Sequence, residues 1–462
     1  MPSSLTTATI WAEREFSGAQ LGDKRRTGRL VKTAALLAER PSGSIPDAIK
    51  DLKDVKGAYD FFTHPEITYE KIIQPHLDHT RTQVAQPGEH FLVEDTTELD
   101  FTSHKAAADL GRIGDDGGRG LLLHTTLALR VLRWVDDEPT TDIEGLWSQR
   151  CWARTEPTHH GTETRAQMLQ RPRESQRWAQ ALDDSGGPPP GCRWTHLADR
   201  ESDIYEVFER CTTRGADFIV RASRKRALAH EDQSIFQAAA QAPVLGHYHL
   251  HLRARPGQAA RTATLEVRAT TVSIRGPWRP GGKLRPFTLN AVQAREINAP
   301  AAIRPIHWVL LTSWPIGDFA AARKVIAAYA TRWLIEEYHK ALKSGTEVEK
   351  SQLATAQRIK ALLGILSVVA VRLLHLKVLV DINPDEPVQW DESTVLRTVL
   401  EARVGKPTNG WTTRSLLIAI AKCGGFLGRK SDGNPGWITL WRGVKELMLL
   451  VQGYELATSA RK

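Results

Sequence analysis

At 462 residues the chain is long enough for about two to four domains and a sizeable core. A hydrophobic share of 41% beside a charged share of 25% excludes a disordered or membrane-embedded chain. Its 62 Lys+Arg against 53 Asp+Glu, a net charge of +9, is what a chain bound to a polyanion would show, and equally what a moderately basic enzyme without a nucleic-acid partner would show.

Four cysteines, Cys151, Cys192, Cys211 and Cys423, stand without CxxC or Cys/His ligand spacing. They read as reduced thiols in a cytoplasmic protein and argue against a zinc site. The opening MPSSLTTATIWAEREF lacks the basic-then-apolar pattern of an export signal. The most apolar stretch, Ala361–Val371, has 11 residues where a membrane span needs about 20, so it reads as a buried helix and no membrane partner is expected.

In chain order, residues 1–70 read as short helices that suit a small DNA-binding domain, with a purely structural helical cap as the alternative. Asp23 can cap a helix whose first turns carry Lys24, Arg25, Arg26 and Arg29. Cations there oppose the helix dipole unless an anion such as phosphate arrives. A second helix is expected over Ile45–Phe62. From His90 the period shortens: HFLVEDTTELDF is a buried strand with Asp95 at its end. LLLHTTLALRVLRW and IEGLWSQRCWAR continue it as an antiparallel meander. Pro172–Leu182 reads as a helix, Trp194–Asp199 as a strand ending in an acid, Ser202–Thr213 as a helix and Asp217–Ala222 as a strand. Alternating Thr/Val/Arg-rich runs over about 222–313 read as a β-rich insertion. A helix over 318–343 and another over Gln352–Val380 complete a catalytic domain spanning 71–380, and 381–462 is a helical C-terminal domain.

Along the helix at 318–343, Tyr329, Arg332, Glu336 and Lys343 follow at i, i+3, i+7 and i+14 and share one face. A solvated face with Arg332–Glu336 and Glu336–Lys340 ion pairs would account for the helix alone. It would not account for the two upstream aspartates. Asp95, Asp199 and Glu336, from two strand ends and one helix, supply a hard-oxygen site suited to Mg²⁺ or Mn²⁺. Two such ions about 4 Å apart activate an attacking hydroxyl and stabilise the leaving oxygen of an in-line phosphoryl transfer.

The element order, three strands, helix, strand, helix, strand, insertion, helix, is that of a ribonuclease-H-like fold whose last helix is displaced by an inserted domain. The expected fold class is therefore α/β multidomain: a ribonuclease-H-like catalytic core with a β-rich insertion, flanked by helical domains at both ends. EDTT at 94–97, ADRESDIY at 198–205 and the Y-x2-R-x3-E-x6-K series resemble the signature of bacterial DDE transposases of the insertion-sequence-4 family, in its transposon-five-like branch. The similarity runs nearly end to end, through LGDKRRTGRLV, FTLNAV with EIN, LTSWP, and GGF, SDG and PGW near the end.

That resemblance implies specific roles. Asp95, Asp199 and Glu336 would be the metal-binding catalytic triad, with two Mg²⁺ ions that Mn²⁺ can replace. Tyr329, Arg332, Lys340 and Lys343 would bind phosphates beside the cleaved bond. Trp308 would stack a flipped base with Trp333 beside it, and Arg221 and Arg224 would contact the DNA backbone. The reaction implied is cutting of transposon-end inverted repeats through a hairpin intermediate, then joining of the 3′-OH ends to target DNA. A homodimer is implied as well, with the C-terminal helices as its contact, working in the bacterial cytoplasm at the nucleoid. Two rivals keep part of this picture: a structure-specific nuclease of the same fold, and a non-catalytic protein that only binds or blocks transposon ends.

Overall fold

The computed structural model describes residues 7–154, 176–252, 260–279, 281–301, 303–388, 390, 395–429 and 432–459. The chain opens with helices α1 (Ala8–Phe16), α2 (Lys24–Glu39), α3 (Ile45–Ala48), α4 (Leu52–Thr63) and α5 (Tyr69–Val84). Four of them start where a short polar side chain takes a backbone N–H: Thr7, Asp23, Asp51 and Thr68 accept from Ile10, Arg25, Asp54 and Lys71. The single helix expected over Ile45–Phe62 is divided, because Ile49 leaves helical backbone at φ −109° and ψ 120° and Asp51 starts a fresh cap.

The sheet follows. Its strands and intervening helices are β1 (Gly88–Asp100), β2 (Gly111–Ile113), β3 (Gly118–Val135), β4 (Glu138–Trp152), α6 (Gln176–Ser185), β5 (Cys192–Ala198), α7 (Tyr205–Thr213), β6 (Asp217–Arg221) and α8 (Ile235–Gln241). Then come β7 (Val244–Leu252), β8 (Arg261–Ile274), a two-rung hairpin of β9 (Trp278–Arg279) and β10 (Gly282–Lys283), β11 (Phe287–Ile297) and β12 (His307–Thr312). The first part of the helix expected from Pro172 lies outside the described residues. β4, β3 and β1 form an antiparallel meander, and β1, β5 and β6 run parallel, giving the order β4–β3–β1–β5–β6 of a ribonuclease-H-like sheet. β12 adds antiparallel to β6 and carries β11, β8 and β7 outward, so the long strands of 222–313 continue the same sheet, while β9 and β10 pair only with each other.

Five further elements of regular helix follow α9 (Phe319–Thr331): α10 (Trp333–Lys340), α11 (Ala356–Ile382), α12 (Val395–Val404), α13 (Thr413–Cys423) and α14 (Trp437–Ser459). The helix expected over 318–343 is therefore not uniform. At Arg332 it tightens, with Arg332 N bonded to Tyr329 O at 3.0 Å and Ile335 N to Arg332 O at 3.1 Å. After Lys340 it widens into a π turn over Ala341–Gly345, where Thr346 N reaches Ala341 O at 3.0 Å. Both changes shift the phase, so the even helical spacing read from Tyr329 to Lys343 holds only locally.

Strand alternation sends Phe91, Val93 and Leu99 of β1 into a core shared with α9, α10 and α11, and Leu92 to the opposite face. A second core under α6, α7 and α8 contains Phe208, Phe218, Ile235, Leu289 and Leu311. The sheet is thus covered on both faces. By composition α11 is long and apolar enough to cross a membrane, yet its most apolar part is 83% buried inside the fold. Beyond it, α12, α13 and α14 pack with Leu376 and Leu379 of α11 in a separate cluster.

Candidate active site

Strand register builds the centre. The parallel pairing of β1 with β5 ends at Glu94 opposite Ala198, so the next residues on the two neighbours are Asp95 and Asp199. Adjacent strands lie about 4.8 Å apart. β1 itself runs on to Asp100, so Asp95 lies within the strand rather than at its end, opposite Thr125 of β3. Alternation separates it from Glu94, which faces the other way and meets His196 Nδ1 at 2.5 Å. Asp199 caps the 3₁₀ turn Arg200–Ser202, accepting from Glu201 N at 2.8 Å.

The third carboxylate comes from α10, packed over β1. Glu336 Oε1 accepts from Arg332 Nη2 at 2.5 Å, and Arg332 Nη1 stands 3.8 Å from Asp95 Oδ2. His339, one turn on, holds Nδ1 4.0 Å from the same oxygen. Burial and the Asp199 charge push the Asp95 carboxyl up to about 7; Arg332 opposes the shift and Glu336 adds to it. Burial and the nearby Lys343 push His339 down to about 3, so it is neutral and brings no positive charge. Arg332 is the cation that neutralises this cluster.

Among the described residues no three His, Cys, Asp or Glu side chains already stand at ligating spacing. The donor set nevertheless suits a hard divalent cation: it is all carboxylate oxygen, and burial together with the neighbouring carboxylates raises one member to near neutrality. A cation there would take over the neutralising role from Arg332.

Beside the carboxylates lies a wall built of Tyr329, Arg221 and Trp308. Tyr329 is buried, its ring 5.7 Å from the Arg332 guanidinium and edge-on to Trp308 at 5.7 Å between centroids. Burial raises its phenol, while the charges of Arg332 and of Arg221 on β6 draw it back down. Arg221 also donates to His307 O at 3.2 Å, which ties β6 to β12 under the site. Asp95, Asp199, Glu336, Arg332, Tyr329, Arg221 and Trp308 therefore share one locality.

The other expected site residues lie further out. Lys343 sits on the π turn, where it adds to the lowering of the Asp100 carboxyl that Thr102 dominates. Lys340 is exposed, and Trp333 is 50% exposed with Nε1 3.4 Å from Glu337. Arg224 is exposed in the loop after β6. The basic group of α2 is engaged within the helical region: Arg25 with Asp23, Arg26 with Leu21 O, and Arg29 with Asp54, while Lys24 is exposed. Asp100, a neighbouring acid in the same strand, accepts from Thr102 N and Oγ1 at 2.8 and 2.5 Å.

Two supporting features were not foreseen. Asp203 is fully buried and accepts from Ser223 N, Arg224 N and Arg226 Nε, each at 2.8 Å, fixing the loop after β6. Its signal was the second aspartate of ADRESD. Behind Asp95, Gln149 of β4 donates to Thr125 Oγ1 and Tyr338 Oη at 2.9 Å and accepts from Tyr69 at 2.8 Å. This network fastens α10 to the sheet.

Comparison with known families gives three matches in chain order. Residues 8–67 match a transposase DNA-binding family, 193–372 the transposase DDE domain, and 372–462 the Tn5 transposase dimerisation domain. Asp199 and Glu336 fall within the DDE match, and Asp95 precedes it on the same sheet. DDE transposases generally use divalent metal ions. With a ribonuclease-H-like sheet between a DNA-binding region and a dimer-forming one, the chain belongs to the Tn5-like DDE transposases and is a DNA-cleaving, DNA-transposing enzyme.

Proposed function

We propose that the protein binds the inverted repeats at transposon ends as a homodimer, cuts them through a hairpin intermediate and joins the freed 3′-OH ends to target DNA. Residues 1–70 read the ends, 71–380 carry out the chemistry with the insertion at about 222–313, and 381–462 pair the subunits. The observation that carries this reading is the strand register that sets Asp95 beside Asp199, with Glu336 over them on α10.

Asp95, Asp199 and Glu336 would hold two divalent cations, which would activate the attacking hydroxyl and stabilise the leaving oxygen. Arg332, Tyr329 and Arg221 orient the scissile phosphate, and Lys340 and Lys343 hold its neighbours. Water first nicks one strand, freeing a 3′-OH. That hydroxyl attacks the opposite strand's phosphodiester, closing the transposon end as a hairpin and releasing the flank with its own 3′-OH; water then reopens the hairpin and regenerates the 3′-OH used for joining. Trp308, beside Tyr329, stacks the base that the strained hairpin expels, and Trp333 offers a second indole at the surface. Stacking of about 1–3 kcal/mol is comparable with the few kcal/mol that unstacking costs. Arg224 follows the backbone beyond the centre. On α2, Lys24 and Arg25 face outward toward phosphates, with Arg26 and Arg29 holding the helix that presents them.

The test incubates protein with labelled duplex bearing its own inverted repeat and flank, with and without Mg²⁺, comparing wild type with Glu336→Ala. Metal-dependent nicks, hairpins and joined products that vanish in the variant, while paired-end complexes persist, are the expected result. Nicks without hairpins or joining would return the structure-specific nuclease, and complexes without any cleavage the end-binding protein.

A further inference from the structure

The chain between β8 and β11 folds back on itself as a small projecting hairpin. Arg279 pairs with Gly282 and Trp278 with Lys283, and Leu284 N donates to Pro277 O at 3.0 Å. At Gly276 a Cβ would come within 2.0 Å of the Leu284 carbonyl oxygen, so glycine lets the two sides close. The indole of Trp278 is 65% exposed. A ring of that size facing solvent on a basic turn calls for a partner.

The hairpin is anchored back to the catalytic centre. Arg279 Nε donates to the Glu206 carboxylate and Tyr205 donates to Arg285 O at 2.8 Å, which seats it on α7. Arg275 N donates to Ala227 O at 3.0 Å and its Nε to Leu228 O at 2.7 Å, which joins its base to the loop after β6. That loop returns to Asp199: Ser223 Oγ donates to Arg200 O at 2.9 Å, and Asp203 clamps Arg224 N. Along this path Arg200, Arg224, Lys225, Arg275, Lys283 and Arg285 are exposed. Of the acids along this path, Asp203 is neutralised by Arg226 and Glu206 by Arg279, while Glu201 beside Arg200 and Glu209 on α7 are exposed. Glu231 and Asp232, later in the same loop, oppose the positive field in part.

We propose that this ridge, from Arg200 beside Asp199 out to Trp278, is a second DNA-holding surface. It grips the phosphates of duplex DNA leaving the catalytic centre, and Trp278 packs against a base at its far end. The inference rests on the transposase reading above. Two sources supply that duplex, donor DNA flanking the transposon end and target DNA.

Full-length protein is tested on three probes: a duplex that stops at the terminal repeat, the same duplex with flanking DNA, and a labelled target duplex offered to the pre-cut paired-end complex. Trp278→Ala is expected to weaken one of the last two about tenfold. Trp278→Phe restores part of the loss. Lys283→Ala with Arg285→Ala lowers the slope of log K against log salt by about two on the same probe. The probe affected identifies donor flank or target. Unchanged affinity and salt slope on every probe overturns the ridge, as does an equal loss on the bare repeat. If wild-type protein binds none of the three, the transposase reading falls with it.

Discussion

At Asp95, burial and the Asp199 carboxylate both favour the protonated form, and the carboxyl is pushed up to about 7. A folded value above the unfolded one makes ionisation a cost to the fold. That cost is absent at low pH, grows as pH rises and is complete above about 7. Asp95→Asn is therefore expected to stabilise metal-free protein at pH 8 by on the order of 1–3 kcal/mol while abolishing cleavage. Mn²⁺ should raise the melting temperature of wild type but not of the variant; a variant less stable than wild type at pH 8 would refute this. Glu15 of α1 behaves in the opposite sense. Burial alone would raise its carboxyl, but the hydrogen bonds and charges of His76 and Arg14 bring it to about 2. Its contribution is present above the ordinary carboxylate range and lost as pH falls toward 2. Glu15→Gln should remove on the order of 3 kcal/mol at neutral pH and flatten the acid limb of the stability profile, as read by urea denaturation.

α10 owes its position to contacts that no residue pattern announces. Gln149→Leu would leave Tyr69, Tyr338 and Thr125 short of a partner inside the core, and about 2–4 kcal/mol of stability should go with it. Cutting should fall more than end binding, because the displaced element carries Glu336. Likewise Asp203→Ala strands the Arg226 guanidinium and frees the loop after β6. About 3–5 kcal/mol and faster proteolysis within 222–229 are expected. The aspartates were readable because each ends an apolar run or a pairing, and Glu336 because helical spacing relates it to Arg332. The tightening at Arg332 and the π turn were not, since no Pro or Gly marks where the helix begins to change and the cause is packing. Gln149 was equally silent: a polar residue in a strand says nothing of which buried hydroxyls it will meet. That β12 would seat on β6, and so extend one sheet, depends on a pairing between segments about 90 residues apart, which local periodicity does not encode.

Across the whole molecule the tail touches the catalytic helix directly. A Cβ at Gly345, in the turn that carries Lys343, would lie 3.0 Å from the Trp437 ring of α14 and 3.1 Å from Leu373 of α11. Trp437→Ala should cost about 3 kcal/mol. It should also slow end cleavage beyond its effect on end binding, measurable by single-turnover cutting of saturated complexes. The dimerisation match begins at residue 372, inside α11, which runs unbroken from Ala356 to Ile382. One rod of about 40 Å is thus shared by the DDE match and the dimerisation match. Where one match hands over to the other the described chain is a single stiff helix, so the start of the dimerisation match is held at a fixed offset from the carboxylates rather than at the average reach of a slack segment.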